Sequence, residues 1–487
     1  MTSIKRHGVL GEFEVTMTVV VRRALLAAMT LLPGVAMASA GLDGSSLGLT
    51  WAIPFAGILL SIALFPLFAP SIWHHHFGKI AVFWALCCAV PLWFVFGSHV
   101  AFDAIAHILL TDYLPFLIFV GSLFIVAGGI HVRGSFVGRP VVNVAFLGLG
   151  AVLANFMGTT GAAMLLIRPL IGANENRRRK VHTFIFFIFL VANVGGALTP
   201  LGDPPLFLGF LKGVNFFWTT GHLFAPWLMT LGVLLAVYFV IDTMMYRKDV
   251  ADGFKAPEST TRFGIDGGIN IALLGLIIAA VLMAGFWKSG STFTFLVGIS
   301  FALEGLLRDV LFILAAVLSL KLTSEKTRAA NHFTWDPIME VGKLFFGIFI
   351  CIVPVLEMLR AGHTGAFASV VALVTDSHGE FNNTVFFWLT GVLSAFLDNA
   401  PTYLAFFNLA GGDPVELMTV HSHTLMAISL GSVFMGAMTY IGNAPNFMTV
   451  AICNERGIKM PSFFGYMVWS VLILVPTFLL MDLVFVA

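Results

Sequence analysis

Apolar runs of roughly 20 residues, the length a helix needs to cross a bilayer, recur along this chain. They predict crossings near residues 48–70, 79–98, 113–131, 221–246, 268–287, 306–322 and 340–360. Other apolar stretches are broken by Gly, Pro, Asp, Asn and Thr, which an uninterrupted membrane helix uses sparingly. Two of these breaks carry the same punctuation. Residues 195–207 read GGALTPLGDPPLF and residues 435–447 read MGAMTYIGNAPNF, so Gly196/Gly436, Ala197/Ala437, Thr199/Thr439, Gly202/Gly442, Pro205/Pro445 and Phe207/Phe447 match at a constant offset of 240. At the same offset Gly158-Thr159-Thr160-Gly161 falls on Asp398-Asn399-Ala400-Pro401, again a polar or Gly/Pro break on both sides. The chain reads as two diverged copies of one unit. Paired interruptions in two halves point to the binding site of a secondary transporter.

Lysine and arginine orient the crossings, because cytoplasmic loops carry them in excess. The rule leaves His74 to Lys79, Arg133 and Arg139 inside. Residues 141–172, broken at Gly158 to Gly161, then suit a hairpin that enters from the cytoplasm and returns to it, ahead of Arg177-Arg178-Arg179-Lys180. Residues 181–210 cross outward through the Gly202 to Pro205 break. The second hairpin, about 364–410 with its tip at Asp398 to Thr402, enters from the outer side. Where the first copy has its four basic residues, the second has Leu417-Met418-Thr419-Val420, and no Lys or Arg lies between Arg360 and Arg456. Loss of the positive cluster is what inversion of the second copy predicts.

The expected fold is therefore an all-α polytopic membrane protein with inverted repeats, two re-entrant hairpins and two broken transmembrane helices, in the inner (cytoplasmic) membrane. Its expected divisions are 1–40 as a signal peptide, 41–111 as N-terminal helices, 112–246 as the first repeat, 247–335 as a cytoplasmic linker with connecting helices, and 336–487 as the second repeat. Arg22-Arg23 ahead of the apolar run Ala24 to Val35, with small residues at Ala36 to Ala40, carry the signal-peptide expectation. Residues 289–305 are ambiguous and could lengthen one of the connecting helices near 268–287 and 306–322.

Composition agrees with a bilayer as solvent: 59% of residues are hydrophobic and 10% charged, against roughly 25% charged in a soluble domain. A balance of 26 basic and 25 acidic residues lacks the basic surplus a nucleic-acid partner calls for. Four cysteines at unpatterned spacing suggest neither a metal site nor a disulfide framework. His74-His75-His76 reads as an exposed loop at a helix end, and Asp103, His107 and Asp112 as a solvated outer segment. Glu340 and Glu357 fall near the ends of one crossing.

The chemistry is expected at the breaks. Gly202, Pro204 and Pro205, and Gly442 and Pro445, free backbone groups and half-helix ends near the midplane. Asp203 and Asp398 are the candidate carboxylates, since a charge deep in a membrane is costly and usually there for function. They sit at inequivalent places in the two copies, so an approximate two-fold could bring both to one centre. The structural alternative for Asp398 is a cap on a half-helix. Thr159, Thr160, Asn399, Thr402, Asn443 and Asn446 add oxygens suited to a hard cation. Burial favours the protonated carboxyl and a bound cation favours the ionised one, so proton and Na⁺ compete for the same oxygens. No cofactor is expected beyond the transported Na⁺ or Li⁺ and H⁺.

At these motifs the chain resembles the NhaD-type Na⁺/H⁺ antiporters of the ion transporter superfamily, which also holds arsenite, dicarboxylate and citrate carriers. The resemblance runs from about Gly48 to the C-terminus. It is most specific at Thr159 to Met164, Leu198 to Phe210, Asp398 to Thr402 and Tyr440 to Asn446. It implies two hairpins, two broken helices, exchange of Na⁺ or Li⁺ for protons, and homodimers. A Na⁺-coupled dicarboxylate or citrate carrier is the alternative, but that pattern places Ser-Asn-Thr at the hairpin tips, where this chain has Gly158-Thr159-Thr160 and Asp398-Asn399-Ala400. An intramembrane aspartyl protease would need glycine at Pro200 and tyrosine at Leu397, and gives no reason for a repeat.

Overall fold

The computed structural model describes residues 42–134, 136–254, 263–295, 298–375 and 379–487. The expected signal peptide lies outside the described residues. Among those described, nine helices are long and apolar enough to cross a membrane, and the only strands form two short antiparallel ladders. The fold is an all-α polytopic membrane protein.

The first helices are Ile53–Phe68, Pro70–Phe96 and Ser98–Ile108, the last running through a single π turn, Leu109–Tyr113, into Leu114–Ala127. Two local expectations change here. His74, His75 and His76 are exposed, as expected, but lie inside the helix starting at Pro70, because Pro70 at its first position begins the helix earlier than the apolar run suggests. Asp112 is not solvated: the π turn aims it inward, 3% exposed, onto Lys212 at 2.6 Å. The unassigned stretch 289–305 holds a β-hairpin, Thr292–Phe295 with Ile299–Ala302, between helices Ile269–Phe286 and Leu303–Leu322.

Hairpin 1 is the segment Pro140–Ala173, helical on both sides of Gly158. Its arms run antiparallel. Gly150 lies against Leu166, eight residues either side of the bend, and Asn143 and Asn174 at the base exchange hydrogen bonds of 3.0 and 2.9 Å. Gly158 has φ +76° and ψ 154°, backbone that only glycine adopts without strain. Hairpin 2 pairs Asn383–Phe396 with Asn399–Leu409, and Phe386 meets Phe406 across its arms.

The broken crossings are built alike at the offset of 240. The first runs Val181–Leu190, a short helical turn Val194–Leu198, an extended break, then Pro204–Leu211; the second runs Ser422–Phe434, Met435–Met438, a break, then Ala444–Glu455. Thr199 donates to the Asn155 carbonyl at 2.5 Å, and Thr439 donates to the carbonyl of Ala395, 240 residues later. Side chains at Gly202 and Gly442 would run into the carbonyls of Gly196 and Gly436, so these matched glycines let each break fold back on itself. Every residue from His182 to Ala197 is buried, whereas the early helices keep many apolar side chains exposed. A segment apolar all round belongs inside protein, and the broken crossings sit there.

Each copy closes with a long helix, Phe216–Ala251 in the first and Phe463–Phe485 in the second. Helix Asp336–Arg360 packs between the N-terminal helices and hairpin 2. Glu340 on it accepts a hydrogen bond from Trp73 at 3.2 Å, and Glu357 pairs with Arg360 at 2.9 Å.

Candidate functional site

Four half-helices begin at one place. They are the second arm of hairpin 1, starting at Thr159; Pro204–Leu211, preceded by Asp203; Asn399–Leu409, preceded by Asp398; and Ala444–Glu455, preceded by Asn443. Proline at the first or second helical position of the two broken crossings starts each helix without needing the donor it lacks. Asp203 and Asn443 take matching extended backbone (φ −144°, ψ 144° and φ −154°, ψ 140°), which turns both side chains away from their own helices.

Asp203 is the centre. It is 1% exposed, and its carboxyl accepts from three elements: the Thr159 hydroxyl on hairpin 1 at 2.9 Å, the Asn399 amide on hairpin 2, and the Asn443 amide on the second broken crossing at 3.3 Å. Among the described residues no cation pairs with it. The Thr159 backbone amide donates to the Gly202 carbonyl at 2.9 Å, closing the tip of hairpin 1 on the first break. Asn399 is fully buried, and its side-chain oxygen has no hydrogen-bond partner beside the carboxyl its nitrogen serves. An orphaned buried oxygen is costly unless something else satisfies it. A cavity of about 40 Å³ lies against Asp203, Thr159, Thr160 and Gly158.

The structure distributes the other sequence candidates as follows. Thr160 lines that cavity. Asp398 is half-buried and caps its own helix, accepting from the Ala400 amide at 3.1 Å. Thr402 spends its hydroxyl on the Asp398 carbonyl at 3.0 Å. Asn446 holds the second break together, donating to the carbonyls of Gly436 and Thr439 at 2.8 and 2.9 Å. Gly202 and Gly442 lie in the breaks, and Pro204, Pro205 and Pro445 start the half-helices that follow.

Two residues escaped sequence reading. Asn193, fully buried, donates to Asn446 at 2.7 Å and accepts from Asn443 at 3.2 Å, so it joins the two broken crossings across the centre. Asn155 binds the Leu198 amide at 2.8 Å through its side-chain oxygen. The signal available for both was a lone amide inside an apolar run, which in a membrane usually bonds to a neighbouring helix.

Two hairpin tips and two interrupted crossings meeting around a buried carboxyl group are the arrangement of a membrane transporter. The chain belongs to a family described as putative citrate transport, whose model matches residues 44–486. It is also 26% identical, over 332 residues covering 63% of this chain and 68% of the relative, to an uncharacterized transporter of Synechocystis sp..

Proposed function

We propose that this transporter exchanges Na⁺ or Li⁺ for protons by alternating access, with Asp203 as the group for which the two ions compete. One observation carries the reading: Asp203 is buried at the meeting point of both hairpins and the second broken crossing, with neutral partners only and the unpaired Asn399 oxygen beside it. A cation settled there gains the carboxylate, the Asn399 oxygen and the threonine oxygens of Thr159 and Thr160; on its departure a proton neutralises the carboxyl. The small cavity suits an ion stripped of most of its water. The motif resemblance to NhaD-type antiporters supports the same reading, and with it we place the protein in the inner membrane as a homodimer.

The converging half-helix N-termini favour the other reading, a Na⁺-coupled citrate or dicarboxylate carrier, because such ends attract anions. The family description points the same way. In this chain Asp398 caps its own helix end and the Asp203 carboxyl lies buried where the ends meet, so the anion they call for is built in. A further carboxylate ligand would meet like charge.

The test is proton movement in proteoliposomes holding a pH gradient, challenged with Na⁺, Li⁺, K⁺ and, in a Na⁺ background, citrate or succinate. Collapse of the gradient by Na⁺ or Li⁺ alone is expected. Na⁺-driven uptake of labelled citrate with no cation response would overturn the antiporter reading in favour of the carrier.

A further inference from the structure

The offset of 240 extends beyond the breaks to a pair of buried carboxyl groups. Asp242 on the closing helix of the first copy falls on Asp482 on the closing helix of the second. They are 0% and 4% exposed. Each reaches the first arm of its own copy's hairpin near its base. Asp242 accepts from Asn143 at 3.0 Å; Asp482 accepts from Thr384 at 3.2 Å and from the Trp388 indole at 2.9 Å. The hairpin tips beyond those bases carry Thr159 and Asn399, the two residues that bind Asp203 from the hairpins.

The two anchors differ in what holds them. Asp242 pairs with Arg177 at 2.6 Å and with His182 at 2.8 Å, and Arg177 also binds Asp249 at 3.3 Å and the Gly138 carbonyl at 3.2 Å. Asn174 at the end of the second arm joins the same group through Asn143 and Arg177. Both arms of hairpin 1 are thereby tied into one charged cluster. At hairpin 2, Asp482 meets neutral donors and touches the first arm only, and among the described residues no cation pairs with it. The second arm is fastened elsewhere, by Asn408 accepting from Arg360 at 2.8 Å. The first arm is also held at its base by Asn383 accepting from Thr424 at 2.7 Å, so the arms of hairpin 2 are anchored to different helices, the first to Phe463–Phe485 and Ser422–Phe434 and the second to Asp336–Arg360.

We propose that Asp482 is a positioning residue for the ion site. It fixes the base of hairpin 2 so that Asn399 at the tip reaches Asp203, and this neutral anchor makes hairpin 2 the hairpin that yields when ions exchange. Anchors that hold both arms through charged partners resist opening more than one that holds a single arm through neutral donors, so hairpin 1 stays closed while hairpin 2 moves. The inference rests on Asp203 and Asn399 forming the ion site.

The experiment compares hydrogen–deuterium exchange of the full chain in lipid nanodiscs with Na⁺-dependent proton movement in proteoliposomes, for wild type, Asp482→Ala, Asp482→Asn and Trp388→Phe. Asp482→Ala is expected to speed exchange in residues 383–396 roughly tenfold while residues 140–173 are unchanged, and to raise the half-saturating Na⁺ concentration by a similar factor with the maximal rate kept. Asp482→Asn, which retains an oxygen for the indole donor, should restore values to within roughly threefold of wild type. Trp388→Phe should move both readouts in the direction of Asp482→Ala, and it decides the matter if Asp482→Ala does not fold. Unchanged exchange in hairpin 2, or acceleration spread equally over both hairpins, would overturn the proposal. A wild type without any Na⁺ response would instead sink the antiporter reading, and the exchange data would still report whether Asp482 holds hairpin 2.

Discussion

The two copies of the repeat share a backbone plan and differ in their charges. In the first, the hairpin base is locked by Arg177, His182, Asp242 and Asp249, and the break carries Asp203; in the second, the base rests on Thr384 and Trp388, and the break carries the neutral Asn443. Backbone symmetry sets where polar groups can gather, and the breaking of that symmetry in side chains decides what each gathering does. One copy supplies the central carboxyl group while the other supplies amides that point at it.

The comparison can be broken hardest at the charged base. Arg177→Ala leaves Asp242 buried without its guanidinium, although Asp249 keeps Arg179 at 3.0 Å, and should cost about 3–5 kcal/mol, seen as a large drop in thermal stability in detergent. The same truncation at the neutral base, Asp482→Ala, should cost about 1–3 kcal/mol; equal losses would erase the distinction between the anchors.

The second contrast is between the two aspartates. Asp203→Asn should lower Na⁺-dependent proton movement by about a hundredfold, since three elements bond to that carboxyl. Asp398→Asn should lose only several-fold, because asparagine caps a helix about as well as aspartate. Loss of all transport in both would mean that Asp398 binds the ion directly.

A smaller effect separates the hairpin tips. Gly158→Ala places a side chain at φ +76° and should destabilise by roughly 1–2 kcal/mol. Its counterpart Asp398 takes φ −57°, so Asp398→Ala should add no such strain, and thermal melts of the two variants measure the difference. The smallest expected change is at the seam between the copies. Asn193→Ala removes the bridge to Asn446 and should cost on the order of 0.6 kcal/mol, the usual scale for a hydrogen bond between membrane helices.

Much of the architecture was legible in the sequence for a definite reason. A membrane forbids unsatisfied backbone among lipid tails, so crossings show as long apolar runs, and Gly158, Gly202-Asp203-Pro204 and Gly442-Asn443 stand out where the helix must break. Direct bilayer constraints also made the positive loop at Arg177 to Lys180 readable, though not that Arg177 turns inward from it and is fully buried. The sequence could place Asp203, Thr159, Asn399 and Asn443 at breaks, and it is those four that meet.

Tertiary structure alone decided the division of labour. Asp203 and Asp398 are equally eligible carboxylates in one dimension, each at a break, yet extended backbone turns Asp203 towards other elements while Asp398 bonds to its own helix. Thr402 and Asn446 carry the right oxygens and spend them on nearby backbone. Asn155, Asn193, Asp242 and Asp482 reveal their roles only through partners at least 43 residues away, such as Leu198 for Asn155 (43 apart) and Asn446 for Asn193 (253 apart). Sequence by itself determines where a membrane chain can carry polarity, because burial in lipid is a local cost; which polar groups face each other is set by the packing of distant segments, and no local pattern records it.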